Sequence, residues 1–229
     1  MGLSNFTPND DDANNPTGSG GGSGAPNIVS VGPSAPATPS HNHAITGGSD
    51  IGDMLINYNE EHKKSSPALF RDEIVTQTMS IISSSRKPNA LLVGPAGVGK
   101  TAIVEEIARR IANQEASVPP QLGNTTIYEL PIATLVAGAG IVGELENRIT
   151  EIIKFAQDPG NDALLFIDEI HIITDDSNPT YSKIAQILKP ALARGYLRVI
   201  AATTTGEAKR LDDDPAFKRR FSSVIVDEL

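Results

Sequence analysis

Eight consecutive residues, Gly94-Pro95-Ala96-Gly97-Val98-Gly99-Lys100-Thr101, have the types and spacing needed to hold a chain of phosphates. They fit the pattern of a glycine, four residues, then Gly-Lys-Ser/Thr, and Ala102 continues the stretch into a helical pattern. Glycine tolerates positive φ, so such a turn curls tightly and aims successive backbone N–H groups at one anion. A helix opening at Lys100 adds the partial positive charge of its N-terminus. Lys100 is placed to reach the β- and γ-phosphates, and the Thr101 hydroxyl to ligate Mg²⁺, which makes Mg²⁺-bound ATP the expected ligand.

A second cluster lies about seventy residues on, where the apolar run Ala163-Leu164-Leu165-Phe166-Ile167 ends in Asp168-Glu169. Carboxylates at the C-terminal end of a strand lie at the mouth where open α/β sheets bind ligands. Beside a phosphate loop they divide the work: Asp168 holds the metal and Glu169 orients and deprotonates water. Thr203, Thr204 and Thr205 end the next strand, so at least one hydroxyl faces the same mouth. Arg219 and Arg220 stand as a pair on a short helix, and guanidinium groups supply charge to a phosphoryl-transfer transition state.

The elements that position these groups alternate. Residues 71–85 read as a helix, residues 90–93 as the strand entering the loop, and residues 100–111 as an amphipathic helix with Ile103, Val104, Ile107 and Ile111 on one face. Strand 127–130, helix 144–156, strand 163–167, helix 180–194, strand 197–203, a short helix near 215–220 and strand 223–226 follow. Strand-helix alternation of this kind predicts an α/β fold with a parallel sheet covered by helices.

Composition separates a body from a tail. Seven of the 28 acidic residues but none of the 19 basic ones fall within residues 1–61, so the net charge of −9 is concentrated there and the rest is nearly neutral. A near-neutral body argues against a broad nucleic-acid-binding face. Residues 1–48, with a Gly/Ser run at 18–24, are expected to be a disordered low-complexity tail, and His41 and His43 within it to be solvated. Residues 49–66 are expected to hold a short helix, capped by Ser49 or Asp50, and a linker. Its apolar residues Ile51, Met54, Leu55 and Tyr58 would either pack on the body or dock a partner. The absence of cysteine excludes disulfides and thiolate metal sites. Neither a signal-peptide pattern nor a membrane-spanning run is present, which makes a soluble cytoplasmic protein the expectation.

Taken together, residues 94–111, 164–171, 188–195, 197–204 and 217–221 resemble the AAA+ ATPases of the Clp type, ring-shaped unfoldases and disaggregases. The resemblance covers residues 67–229 and implies the large subdomain of a first ATPase module, with a five-stranded parallel sheet in the order 5-1-4-3-2. It implies a hexameric ring of identical chains, ATP at the subunit interfaces, protein substrates, and room for a protease or chaperone partner. Thr204 is similar to the residue that senses the γ-phosphate, with Thr203 its close competitor. Arg219 and Arg220 resemble the fingers that act on a neighbouring subunit. Residues 135–148 resemble the substrate-gripping pore loop, but Gly140, Ile141 and Val142 stand where the family has an aromatic residue beside a basic one. The small helical lid and a second ATPase module are expected to be absent. A rival expectation is a nucleotide-dependent scaffold or assembly subunit with little turnover; a DNA-directed loader is disfavoured by charge.

Overall fold

A computed structural model describes residues 51–137, 142–174, 178–195, 197–212, 214 and 218–228. The expected tail at residues 1–48, the helix caps Ser49 and Asp50, and the pore-loop positions Gly140 and Ile141 lie outside these residues. So does the first half of the helix expected near 215–220.

The strands are β1 (Ile56–Asn57), β2 (Asn89–Val93), β3 (Thr126–Glu129), β4 (Ala163–Ile167), β5 (Val199–Thr203) and β6 (Phe221–Ile225). They form one sheet in the order β1-β3-β4-β5-β2-β6. All neighbouring pairs are parallel except β1 with β3, where Ile56 faces Glu129 and Asn57 faces Tyr128. The sheet is therefore six-stranded and mixed, which corrects the expected five-stranded parallel sheet. Its parallel part alone, counted along the chain, runs 5-1-4-3-2.

Strands β2, β4 and β5 are buried at every residue, as continuous apolar runs must be when helices cover both faces. Successive side chains of a strand point to opposite faces. Leu91, Val93, Leu165, Ile167, Val199 and Ala201 accordingly join one core cluster, and Ala90, Leu92, Leu164, Phe166, Ile200 and Ala202 the other. Helices α3 (Asp72–Ile82) and α4 (Lys100–Ala112) close the second face through Val75, Met79, Ile103 and Ile107. Helices α6 (Val142–Gln157) and α7 (Pro179–Arg194) close the first through Ile149, Ile152, Ile184 and Leu188. The short α5 (Ile132–Ala137) follows β3, and α8 (Thr205–Asp212), a helix the apolar pattern did not predict, follows β5.

The single helix expected near residue 51 is broken into α1 (Ile51–Met54), β1 and α2 (Tyr58–His62). Asn57 takes an extended conformation and its side chain accepts a hydrogen bond from the Glu60 amide, so a new helix starts there. Asn59 then clamps β3, accepting from the Ile127 amide at 3.0 Å and donating to the Thr125 carbonyl at 2.9 Å. Leu55 and Tyr58 are buried, and Ile51 and Met54 pack against the core, so the stripe faces the body.

Helix α4 is also fixed by a buried charge. Glu106 is almost wholly buried, yet it accepts from Arg109 Nε at 2.8 Å, Arg110 Nε at 2.6 Å and the Ala68 amide at 3.1 Å. Burial pushes its carboxyl up, but the hydrogen bonds from Arg109, Arg110 and Ala68 outweigh it and hold the pKa at about 2. A depressed carboxylate contributes stability that is full above its ordinary value of 4.5 and is lost as pH falls towards 2. Glu106→Gln should therefore cost about 2 kcal/mol in urea unfolding at pH 7. The two proteins should converge in stability as pH falls towards 2; a difference that is independent of pH would contradict the assignment.

Candidate active site

The phosphate-loop residues connect β2 to α4, and glycine is required at defined points of the turn. A Cβ on Gly94 would sit 2.2 Å from the Val226 carbonyl oxygen, backbone that cannot yield. Gly97 and Gly99 take φ of +76° and +92°, the left-handed region that L side chains avoid. Lys100 opens α4, and its ammonium donates back to the Gly94 and Pro95 carbonyls at 3.0 and 2.8 Å. Its charge is thus held over the loop while the first amides of α4 lie beside it.

Strand β4 delivers the carboxylates. Asp168 Oδ2 accepts from the Thr101 hydroxyl at 2.9 Å, joining residues 67 apart in the chain, and Oδ1 accepts from the Glu169 amide at 2.9 Å. Glu169 has φ of +49°, an uncommon conformation for a residue with a side chain, and stands exposed at the mouth. Thr101 and Asp168 together offer hard oxygen donors, the type magnesium prefers. Bound there, the metal would supply neutralisation of phosphate charge.

Ala96, Gly97, Gly99, Lys100, Thr101, Asp168, Glu169, Thr203 and Thr204 line one cleft of about 260 Å³. The remaining loop residues support it from behind: Gly94 and Pro95 through the carbonyls that hold Lys100, Val98 by packing on the core, and Ala102 within the first turn of α4. Arg219 and Arg220 do not line this cleft. Arg219 is exposed in the turn before β6, and Arg220 donates to the Ala193 carbonyl near the end of α7.

Both threonines at the end of β5 reach the mouth and are tied differently. Thr203 is buried, with its hydroxyl 3.4 Å from His171 Nδ1. Thr204 donates to Glu207 Oε2, the same oxygen that lies 3.0 Å from His171 Nδ1. In the sequence, no pattern assigns His171 a role, and Glu207 is marked only by Thr-x-x-Glu at 204–207, a helix-start signature. Glu129, at the end of β3, carries no sequence signal of a site role. Burial raises the Glu129 carboxyl, a hydrogen bond from Tyr58 opposes this, and the charge of Asp168 raises it further. Burial and the nearby Glu129 in turn push the Tyr58 hydroxyl up.

A mostly parallel α/β sheet with a glycine-rich loop, a hydrogen-bonded Thr/Asp pair and an exposed carboxylate at the strand ends has the build of a P-loop nucleoside triphosphatase. The chain belongs to the ATPase family associated with various cellular activities (AAA), whose sequence model matches residues 90–229. It is similar to the chaperone protein ClpB of Aquifex aeolicus, with 42% identity over 177 residues, which is 76% of this chain and 17% of that protein. The structure of an Hsp104–ADP complex from S. cerevisiae matches it with a TM-score of 0.68 and 35% identity, covering 77% of this chain and 25% of that one. An S. cerevisiae Hsp104:casein complex matches with a TM-score of 0.67 and 35% identity, covering 77% and 30% in turn by its closely similar fit. The chain is thus similar to a Clp-type ATPase module and spans well under a third of the length of ClpB.

Proposed function

We propose that the cleft binds Mg²⁺-bound ATP and hydrolyses it, and that hydrolysis drives remodelling or unfolding of protein substrates by a hexameric ring. The observation that carries this reading is the hydrogen bond of 2.9 Å between Thr101 and Asp168 beside the loop. It brings the two metal-binding groups together at the point where phosphates would lie. In this reading Lys100 and the loop amides hold the phosphates, Thr101 and Asp168 hold magnesium, and Glu169 takes a proton from the attacking water. Thr204 contacts the γ-phosphate or that water. Residues 67–229 form the ATPase large subdomain, preceded by the helical segment and linker of 49–66.

Arg219 and Arg220 stand away from the cleft of their own chain, which fits action on a neighbour's site. ADP bound to Hsp104, and casein bound to Hsp104, support nucleotide and protein as the two ligand classes. A cytoplasmic location is part of the same proposal; among the described residues no helix is long and apolar enough to cross a membrane.

The test is ATPase rate per chain against protein concentration. A ring that borrows arginines should gain at least about tenfold on assembly, since a finger supplied in trans contributes several orders of magnitude. A rate per chain that stays flat while the oligomer forms would favour the second reading, a nucleotide-dependent scaffold. That reading is motivated by Gly140-Ile141-Val142, which offers a threaded chain no aromatic contact.

A further inference from the structure

We infer that Arg71 is a positioning residue for phosphate binding: its guanidinium turns the peptide between Val98 and Gly99 so that the Gly99 amide faces the cleft. The inference rests on the reading of this loop as a triphosphate site.

Arg71 immediately precedes α3 and is only 8% exposed. Its Nη2 donates to the Val98 carbonyl at 2.7 Å and its Nη1 to the Asp227 carbonyl at 2.8 Å. The planar fork of a guanidinium spans two acceptors in this way, which a lysine ammonium does not do with the same rigidity. Among the described residues Arg71 makes no ion pair, so a nearly buried cation is spent on two neutral carbonyls. Desolvating a charge is costly, and here it fixes the direction of one peptide.

That direction matters because a trans peptide is planar, with its C=O and N–H pointing opposite ways. The Val98 oxygen is held by Arg71, outside the cleft, while Gly99 lines the cleft. The Gly99 N–H is therefore turned to the side where an anion would sit. The Val98 side chain packs against the core, so neither end of this residue is left to rotate the plane back. With φ of +92°, Gly99 itself is the residue most prone to other conformations, and a clamp just before it removes that freedom.

The second bond extends the clamp under the loop. Asp227 follows Val226, whose amide donates to the Val93 carbonyl at 2.8 Å and whose oxygen lies against Gly94. One guanidinium thus ties the crest of the loop to the strand end beneath its base.

Equilibrium titration of a fluorescent ATP analogue with magnesium, on the wild-type chain, Arg71→Ala and Arg71→Lys, tests this. Losing one oriented amide to a charged phosphate should raise Kd about 10- to 100-fold in Arg71→Ala, with Arg71→Lys in between. Turnover at saturating ATP should stay within about threefold, because Arg71 touches neither carboxylate. A residue that only stabilises the fold would lower the melting temperature and leave Kd unchanged, and that result in both variants overturns the inference. If Arg71→Ala does not fold, Arg71→Lys decides alone, a Kd within about twofold of wild type being the contrary result. Failure of both to fold overturns it as well, since the arginine would then hold the domain together instead of the loop. A folded wild-type chain that does not bind the analogue ends the reading of the site itself, which is a separate failure.

Discussion

The substitution Glu169→Gln is expected to leave Mg²⁺-bound ATP tightly held while slowing its hydrolysis about 10²- to 10⁴-fold, the usual contribution of a positioned general base. Glu169 lines the cleft with its carboxylate exposed, and neither Thr101 nor Asp168 depends on its side chain. Only its backbone amide bonds to Asp168, and glutamine keeps that bond at 2.9 Å. Binding and chemistry should therefore separate. Paired measurements of nucleotide affinity and phosphate release check this; retained turnover would remove Glu169 from the mechanism, and lost affinity would make it part of the binding surface.

The second large effect is expected from Lys100→Ala, which should weaken binding at least about a hundredfold, because charge-assisted hydrogen bonds to a desolvated phosphate are lost together. The fold should survive. The turn is held independently by the conformations of Gly97 and Gly99 and by the close passage of Gly94 over Val226. A thermal melt near that of the wild type, alongside absent binding, is the expected pair of results. Normal affinity would show that the ammonium, though poised over the loop, does not meet phosphate.

The loop and the carboxylates were legible in the sequence because each depends on contiguous residues. Glycines at fixed spacing encode a turn, and an apolar run ending in Asp168-Glu169 encodes a buried strand with its mouth. The core strands were legible for the same reason: β4 and β5 bury both faces, so their runs carry no polar interruption.

What escaped has other physical origins. Arg71 acts on the carbonyls of Val98 and Asp227, and every residue type presents the same carbonyl, so no pattern marks the partners. Strand β1 is two residues long, too short for a periodicity, while Ile51, Met54, Leu55 and Tyr58 happen to satisfy helical spacing across the break. Helix α8 has a polar sequence and a glycine in its first turn; Leu211 is its buried anchor. Glu129 approaches Asp168 only through the pairing of β3 with β4, a contact set by tertiary structure.

The most direct test of the whole account is calorimetric titration of ATP with magnesium into the purified, folded chain. The account predicts saturable binding at one site per chain, abolished by Lys100→Ala and preserved by Glu169→Gln. No saturable heat at millimolar nucleotide from a chain that melts cooperatively would contradict it.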